Sequence, residues 1–131
     1  MPISGKVEVL ETYCRLRLPD TGSLVDVVES VTHAIVFCRR RRSSRLLADL
    51  TRVPRSISPT FMDRYLLAEE WSKAAAGEVA VAIVAHPEQI DPRKFGIGVA
   101  TNFGMLVDVF TSEGPALDWL LGHAKAPGAG L

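Results

Sequence analysis

The sequence predicts an α/β domain in which a mostly parallel sheet with an antiparallel edge strand or hairpin is covered by about four helices. Apolar runs of strand length alternate with segments of helical periodicity, an order typical of parallel strands joined by helices. The length of 131 residues fits one core, and 47% hydrophobic with 23% charged residues is ordinary for a folded protein. We therefore expect a single domain over residues 1–131, with a frayed tail at 125–131.

The first half of the chain predicts a strand segment, a helix and a second strand. Residues 6–18 alternate between apolar and charged side chains, which indicates one bent strand or a hairpin at an antiparallel edge. Ser23 has the character of a helix N-cap, and the helix after it has an apolar stripe that reaches Ile35. Residues 46–50 have the composition of a buried parallel strand, and residues 51–58 form its exit loop.

A second helix is predicted over residues 58–76. Ser58 is its candidate N-cap because a proline follows at the first helical position, and Gly77 ends the helix. The apolar residues of this segment are expected to form its buried face, namely Phe61, Met62, Tyr65, Leu66 and Trp71.

Three further elements complete the pattern. Residues 79–85 contain no polar side chain, which predicts the central strand with both faces covered. A short helix over residues 91–101 is closed by Gly104 in a left-handed conformation, and residues 105–110 form the last strand. A final helix follows Gly114.

Charge is balanced in total, with 15 basic and 15 acidic residues, but it is uneven along the chain. Residues 1–38 sum to −2, residues 39–55 to +6 and residues 56–131 to −4. The balance argues against a nucleic-acid-binding surface. Arg39 to Arg42 predict a solvated cap at a helix C-terminus, with an acidic partner, a phosphate-rich ligand or a membrane surface as the alternative. The predicted strand separates this cluster from Arg52 and Arg55.

Signals of compartment and redox state are those of a cytoplasmic protein. The first residues lack the pattern of a secretory signal, and no apolar run has the length of a membrane span, so no stable membrane insertion is expected. Cys14 and Cys38 have neither metal-ligand spacing nor nearby histidines, and we expect both to be buried, reduced thiols. The apolar content is compatible with a homodimer.

Two polar residues lie at predicted carboxyl ends of strands, where open α/β sheets bind ligands. Asp49 is either a functional acid or a structural one that accepts hydrogen bonds from loop N–H groups. His86 is a candidate general base, a ligand or partner contact, or an ordinary loop histidine. The motifs of metalloproteases, serine hydrolases and nucleotide-binding loops are absent, so we expect no catalytic residue, no metal and no cofactor.

The sequence resembles the STAS/SpoIIAA-like family of small bacterial proteins over residues 6–122. The residues that carry the resemblance are mainly core positions: Asp49 in its strand, the apolar strand 79–85, Phe95-Gly96, Asn102-Phe103-Gly104, Val109-Phe110 and Ala116-Leu117-Asp118-Trp119-Leu120. In anti-sigma-factor antagonists of this fold, a serine in an Asp-Ser-x-Gly context is phosphorylated by a partner kinase. Here the matching residues are Asp49-Leu50-Thr51, which lack both the serine and the glycine of that motif. Ser58 is either a phosphate acceptor in place of that serine or a helix cap.

The leading functional expectation is a non-enzymatic regulatory or protein-interaction module. Its contacts would be made by the second helix and by the loop that follows Asp49, through Asp49, Thr51, Arg52, Arg55, Ser58 and His86. The alternative is a binding protein for a small apolar molecule or lipid, because other relatives are similar to CRAL-TRIO modules. The apolar helix residues that motivate this alternative are Phe61, Met62, Tyr65, Phe95 and Phe103. A third hypothesis is an enzyme in which Asp49 or His86 faces a common pocket.

Overall fold

A computed structural model describes residues 6–19 and 23–122, and the predicted tail at 125–131 lies outside them. The strands are β1 (Lys6–Val9), β2 (Cys14–Arg17), β3 (Arg45–Asp49), β4 (Ala80–Val84) and β5 (Val107–Phe110). The helices are α1 (Leu24–Arg40), α2 (Phe61–Ala75), α3 (Phe95–Asn102) and α4 (Glu113–Gly122), with a short 3₁₀ turn at Pro87–Gln89. Among the described helices, none combines the length and the apolarity that crossing a membrane requires.

The five strands form one sheet in chain order, β1-β2-β3-β4-β5. β1 and β2 are an antiparallel hairpin, and every later neighbour is parallel. The α/β prediction with an antiparallel edge is therefore confirmed. One detail is wrong: residues 79–85 were expected to hold the central strand, whereas β4 is interior but β3 occupies the middle position.

The sheet carries three helices on one face and one helix on the other. Side chains alternate between the faces along each strand, so Leu46 packs with α1, α2 and α3 whereas Leu47 packs with α4. On β4, Val81 and Ile83 face the three helices, and the alanines at 80 and 82 face α4. All residues of β4 are buried, as its uninterrupted apolar sequence predicts.

Helix starts differ from the prediction for three of the four helices, and α4 begins at Glu113 rather than after Gly114. Ser23 does cap α1 and forms a reciprocal capping box with Asp26. Ser58 is not the cap of α2, because Thr60 and Asp63 form the reciprocal bonds and the helix begins at Phe61. α3 begins at Phe95 rather than at residue 91.

The predicted buried face of α2 is wrong except for Trp71. Phe61 is 68% exposed and Leu66 is 53% exposed, and Met62 and Tyr65 are exposed as well. The residues that α2 buries are Ala68, Trp71, Ser72 and Ala75. Trp71 sets this rotation, because its indole N–H donates to the Val28 carbonyl of α1 at 3.2 Å. Periodicity predicts an apolar face on α2 but does not settle which side of the helix packs against the rest of the protein.

The arginines after residue 38 spread around the end of α1, as expected for a helix terminus. Arg39 donates to the Ala74 carbonyl at 2.9 Å, and the guanidinium of Arg41 lies 5.5 Å from the ring centre of Phe37. Arg42 adopts a left-handed conformation beyond the helix, with φ of 60°. The four cations therefore do not form one stripe.

Candidate functional site

Three predicted site residues meet at the carboxyl ends of β3 and β4. The Asp49 carboxylate accepts hydrogen bonds from the backbone N–H and the hydroxyl of Thr51, at 3.0 and 2.6 Å. Arg17 Nε lies 3.8 Å from its second oxygen. His86 Nε2 donates to the Thr51 carbonyl at 2.6 Å. Asp49 therefore accepts hydrogen bonds from its own loop, as in the structural alternative. The bond from His86 to Thr51 connects the end of β4 to the loop that follows β3.

The other three predicted site residues lie on the exposed loop between β3 and α2. Arg55 pairs with Glu88 at 3.1 Å, and both side chains are more than half exposed. Arg52 and Ser58 are exposed. An exposed ion pair of this kind contributes little to stability, so Arg55 is available for other contacts.

A cavity of about 140 Å³, partly open to solvent, lies between the sheet and the helices α1, α2 and α3. We call this side of the sheet the cavity face. Its wall is almost wholly apolar and draws on all three helices, β4, β5 and the loop after β3, for example through Val27, Ile57, Leu67, Ile83, Ile97 and Val107. The apolar helix residues expected to form a ligand site, namely Phe61, Met62, Tyr65, Phe95 and Phe103, do not line it. The expected ligand-site residues are therefore wrong. The cavity is lined instead by other side chains of α2 and α3, such as Leu67, Ile97 and Ala100.

Neither Asp49 nor His86 lines this cavity, although their neighbours Leu50 and Ala85 do. The cavity is therefore not the common pocket that the enzyme hypothesis requires. Within residues 6–19 and 23–122, no group of three or more histidine, cysteine, aspartate or glutamate side chains is arranged to hold a metal ion. Cys14 and Cys38 are buried free thiols, and burial raises the pKa of Cys38, so its reactive thiolate is suppressed at neutral pH.

Two side chains of the cavity wall hold the loop that covers it, and we call them the loop latch: Arg64 and Gln89. The Gln89 amide donates to the carbonyls of Pro54 and Ile57, at 2.9 and 3.1 Å. Arg64 donates to the carbonyls of Pro59 and of Gln89 itself. Sequence reasoning missed both residues, because each bond from Gln89 to the loop spans more than 30 residues of chain. The latch closes one side of the cavity without regular secondary structure.

Charged groups on the wall are confined to α2 and the approach to α3. Asp91 accepts the backbone N–H groups of Phe95 and Arg93, and these bonds lower the pKa of its carboxyl group. Lys94 has a left-handed backbone and pairs with Asp108 at 2.9 Å. Apart from these groups, Arg64 and Gln89, the described side chains of the wall are apolar.

Aromatic side chains line the outer surface of α2 and α3, and we call them the aromatic ridge: Phe61, Tyr65, Phe95 and Phe103. The rings of Phe61 and Phe95 are stacked with centres 3.9 Å apart, and those of Tyr65 and Phe103 meet edge to face at 6.4 Å. Phe61 and Phe103 remain substantially exposed. The ridge is a surface feature and does not belong to the core.

The sequence matches no protein-family model, and the search of curated proteins found no significant match. The STAS-like resemblance therefore stays a prediction.

Proposed function

We propose that this chain binds a small apolar molecule in the cavity between the sheet and the helices α1, α2 and α3. The observation that carries the proposal is the cavity's volume of about 140 Å³ together with its almost wholly apolar wall. An apolar cavity of about 150 Å³ in another protein stays dry when empty and takes up benzene or xenon. The best ligand is therefore a single ring, a short branched alkyl group, or the end of a longer apolar chain that enters past the loop latch.

Fluorobenzene is a suitable probe, with binding followed by fluorine NMR and by thermal unfolding. We expect saturable binding and a rise in unfolding temperature, because a ligand at 100 times its Kd stabilises the folded state by about 2.7 kcal/mol. Native mass spectrometry of the freshly purified protein tests whether a natural ligand is retained.

A matched pair of α3 variants gives the control. Ala100→Leu adds bulk to the wall and should abolish binding, whereas Thr101→Leu adds bulk at the adjacent exposed position and should leave it unchanged. Absence of fluorobenzene binding, or binding to Ala100→Leu equal to that of the wild type, would contradict the proposal.

A second candidate function is a non-enzymatic interaction module, and exposure of apolar side chains on α2 favours it. Large apolar groups scattered singly on a surface are ordinary, but here Phe61 and Met62 are adjacent and each is more than 60% exposed. The loop with Arg52, Arg55 and Ser58 leads directly into this surface, and Ser58 is exposed, as a phosphorylation site must be. These residues coincide with the region that the STAS-like resemblance indicates for partner contacts.

Affinity capture from the host with the wild type and two variants tests this second function. The loop variant Arg52→Ala/Arg55→Ala and the helix variant Phe61→Ser should each lose the same captured protein. Arg40→Ala, an exposed cation at the far end of α1, is the control and should retain it. A partner that is retained by all variants would exclude this surface.

A further inference from the structure

A second concavity lies on the surface between α1 and α2, with a volume of about 230 Å³, and we call it the α1/α2 groove. Its apolar residues include Val25 and Leu66, which are 63% and 53% exposed. Leu24, Val28 and Leu67 form the deeper part and also back onto the interior cavity. Exposed aliphatic side chains on two adjacent helices therefore surround one unfilled surface depression.

Among the residues that the structure describes, every charged one that lines the α1/α2 groove is acidic. Glu29 comes from α1, and Asp63 and Glu70 come from α2. Among the described residues, no lysine or arginine lines the groove, and none of these three acids forms an ion pair within 4.0 Å. A rim of one sign around an apolar floor is the complement of a helix with apolar residues on one face and cations beside them.

Two of these acids are hydrogen-bonded to threonines, and the Arg64 guanidinium, whose charge also acts on Asp63, does not line the groove. Glu70 accepts a hydrogen bond from the Thr32 hydroxyl at 2.8 Å. Asp63 accepts from the Thr60 backbone N–H, and these cap bonds lower the pKa of its carboxyl group, so it stays ionised at neutral pH. The groove therefore keeps a negative field although the chain has no net charge.

We propose that the α1/α2 groove docks a basic amphipathic helix of a protein partner. Apolar side chains spaced three and four residues apart on that helix would contact Val25, Val28 and Leu66, while its lysines or arginines would face the acidic rim. An anionic membrane surface or a nucleic acid is disfavoured by the same acids. The groove is separate from the aromatic ridge, and the inference goes beyond the cavity function proposed above.

A fluorescein-labelled peptide of about 16 residues, with leucines on one helical face and lysines on the other, is the probe. We expect saturable binding by fluorescence anisotropy at low ionic strength that weakens as salt is added, because the rim charges are exposed and screened. A peptide of the same composition in shuffled order and a peptide with glutamates in place of the lysines should not bind.

Protein variants then locate the site. Leu66→Ser and Glu29→Lys should each lower the affinity by about tenfold or more. Leu106→Ser and Glu78→Lys change an exposed leucine and an exposed acid elsewhere, and they should leave the affinity unchanged. Leu66 and Glu29 do not line the interior cavity, so loss of fluorobenzene binding and loss of peptide binding are separate results.

Four outcomes would overturn the inference. These are absence of saturable binding up to about 1 mM protein, equal binding of the shuffled peptide, equal effects of the groove and control variants, and self-association of the protein that Leu66→Ser abolishes. The last result would mean that a second copy covers the groove.

Discussion

The two faces of the sheet are packed differently, although both are built from the same strands. On the α4 face, β4 presents Ala80 and Ala82, and α4 presents Ala116 and Leu120, all fully buried. On the opposite face the strands present larger branched residues such as Ile83, and the three helices leave a cavity of about 140 Å³. Small residues let a single helix approach the α4 face closely, whereas three helices over branched side chains leave unfilled space.

The difference separates a densely packed face of the sheet from a face that contains a cavity. At about 24 cal/mol for each Å³, an empty cavity of this size costs on the order of 3 kcal/mol of stability. The charged and polar side chains of the loop latch lie on the cavity face as well. We therefore expect substitutions on the two faces to have different consequences.

The largest effect should come from truncating the packed face. Leu120→Ala should lower the free energy of unfolding by about 2–5 kcal/mol, because its side chain is fully buried and the cavity it leaves cannot collapse. Urea denaturation measures this, with Leu121→Ala, its 41% exposed neighbour, as the control that changes little. Equal losses for the two variants would show that α4 is not packed as described.

Adding side-chain volume should lower the free energy of unfolding more on the α4 face than on the cavity face. Ala116→Leu should cost about 1–3 kcal/mol because the α4 face has no space for three more carbons. Ala100→Leu places the same atoms against the cavity and should change the unfolding free energy by less than about 1 kcal/mol. If Ala100→Leu is as damaging as Ala116→Leu, the two faces do not differ in packing.

Breaking the loop latch should loosen only the cavity face. Gln89→Glu keeps the shape of the side chain but removes both donors, so it should cost about 1–2 kcal/mol. Hydrogen exchange should accelerate at the Val53 and Ile57 amides, which bond within the loop, and fluorobenzene should exchange faster. Glu88→Gln, which weakens only the exposed pair with Arg55, is the control and should leave exchange at these amides unchanged.

The smallest effect should be a pH dependence that originates at the helix starts of the cavity face. The pKa values of Asp63 and Asp91 are lowered chiefly by backbone N–H donors, from Thr60 and Phe95 respectively. Because each folded pKa lies below the unfolded value of about 3.9, the stabilisation is present above that value and is lost as pH falls through the folded pKa.

Unfolding temperatures between pH 7 and pH 2.5 test this sign. Asp63→Asn should flatten the acid limb of the curve, and Thr60→Ser, which keeps the capping hydroxyl, should not. An acid limb of Asp63→Asn identical to that of the wild type would remove Asp63 as a contributor.

The sequence predicted the position of a site residue only where that residue lies at or next to the end of a strand. Asp49 and His86 could be placed at the carboxyl edge from the apolar runs that precede them, and the structure joins them through Thr51. The predicted cap at Ser58 was wrong because Thr60, two residues later, forms the reciprocal capping bonds with Asp63. Gln89 carried no local signal, since its acceptors are carbonyl groups that any sequence could supply.

The sequence by itself determined the order of strands and helices, the antiparallel edge and the parallel interior, because those features follow from local periodicity and turn residues. Only the tertiary structure decided the rotation of α2, the empty volume beneath it and the acidic groove beside it. Rotation depends on long-range contacts such as the bond from Trp71 to Val28, and empty volume depends on how side chains from several elements fail to meet. Neither quantity is encoded in the spacing of apolar residues along one helix.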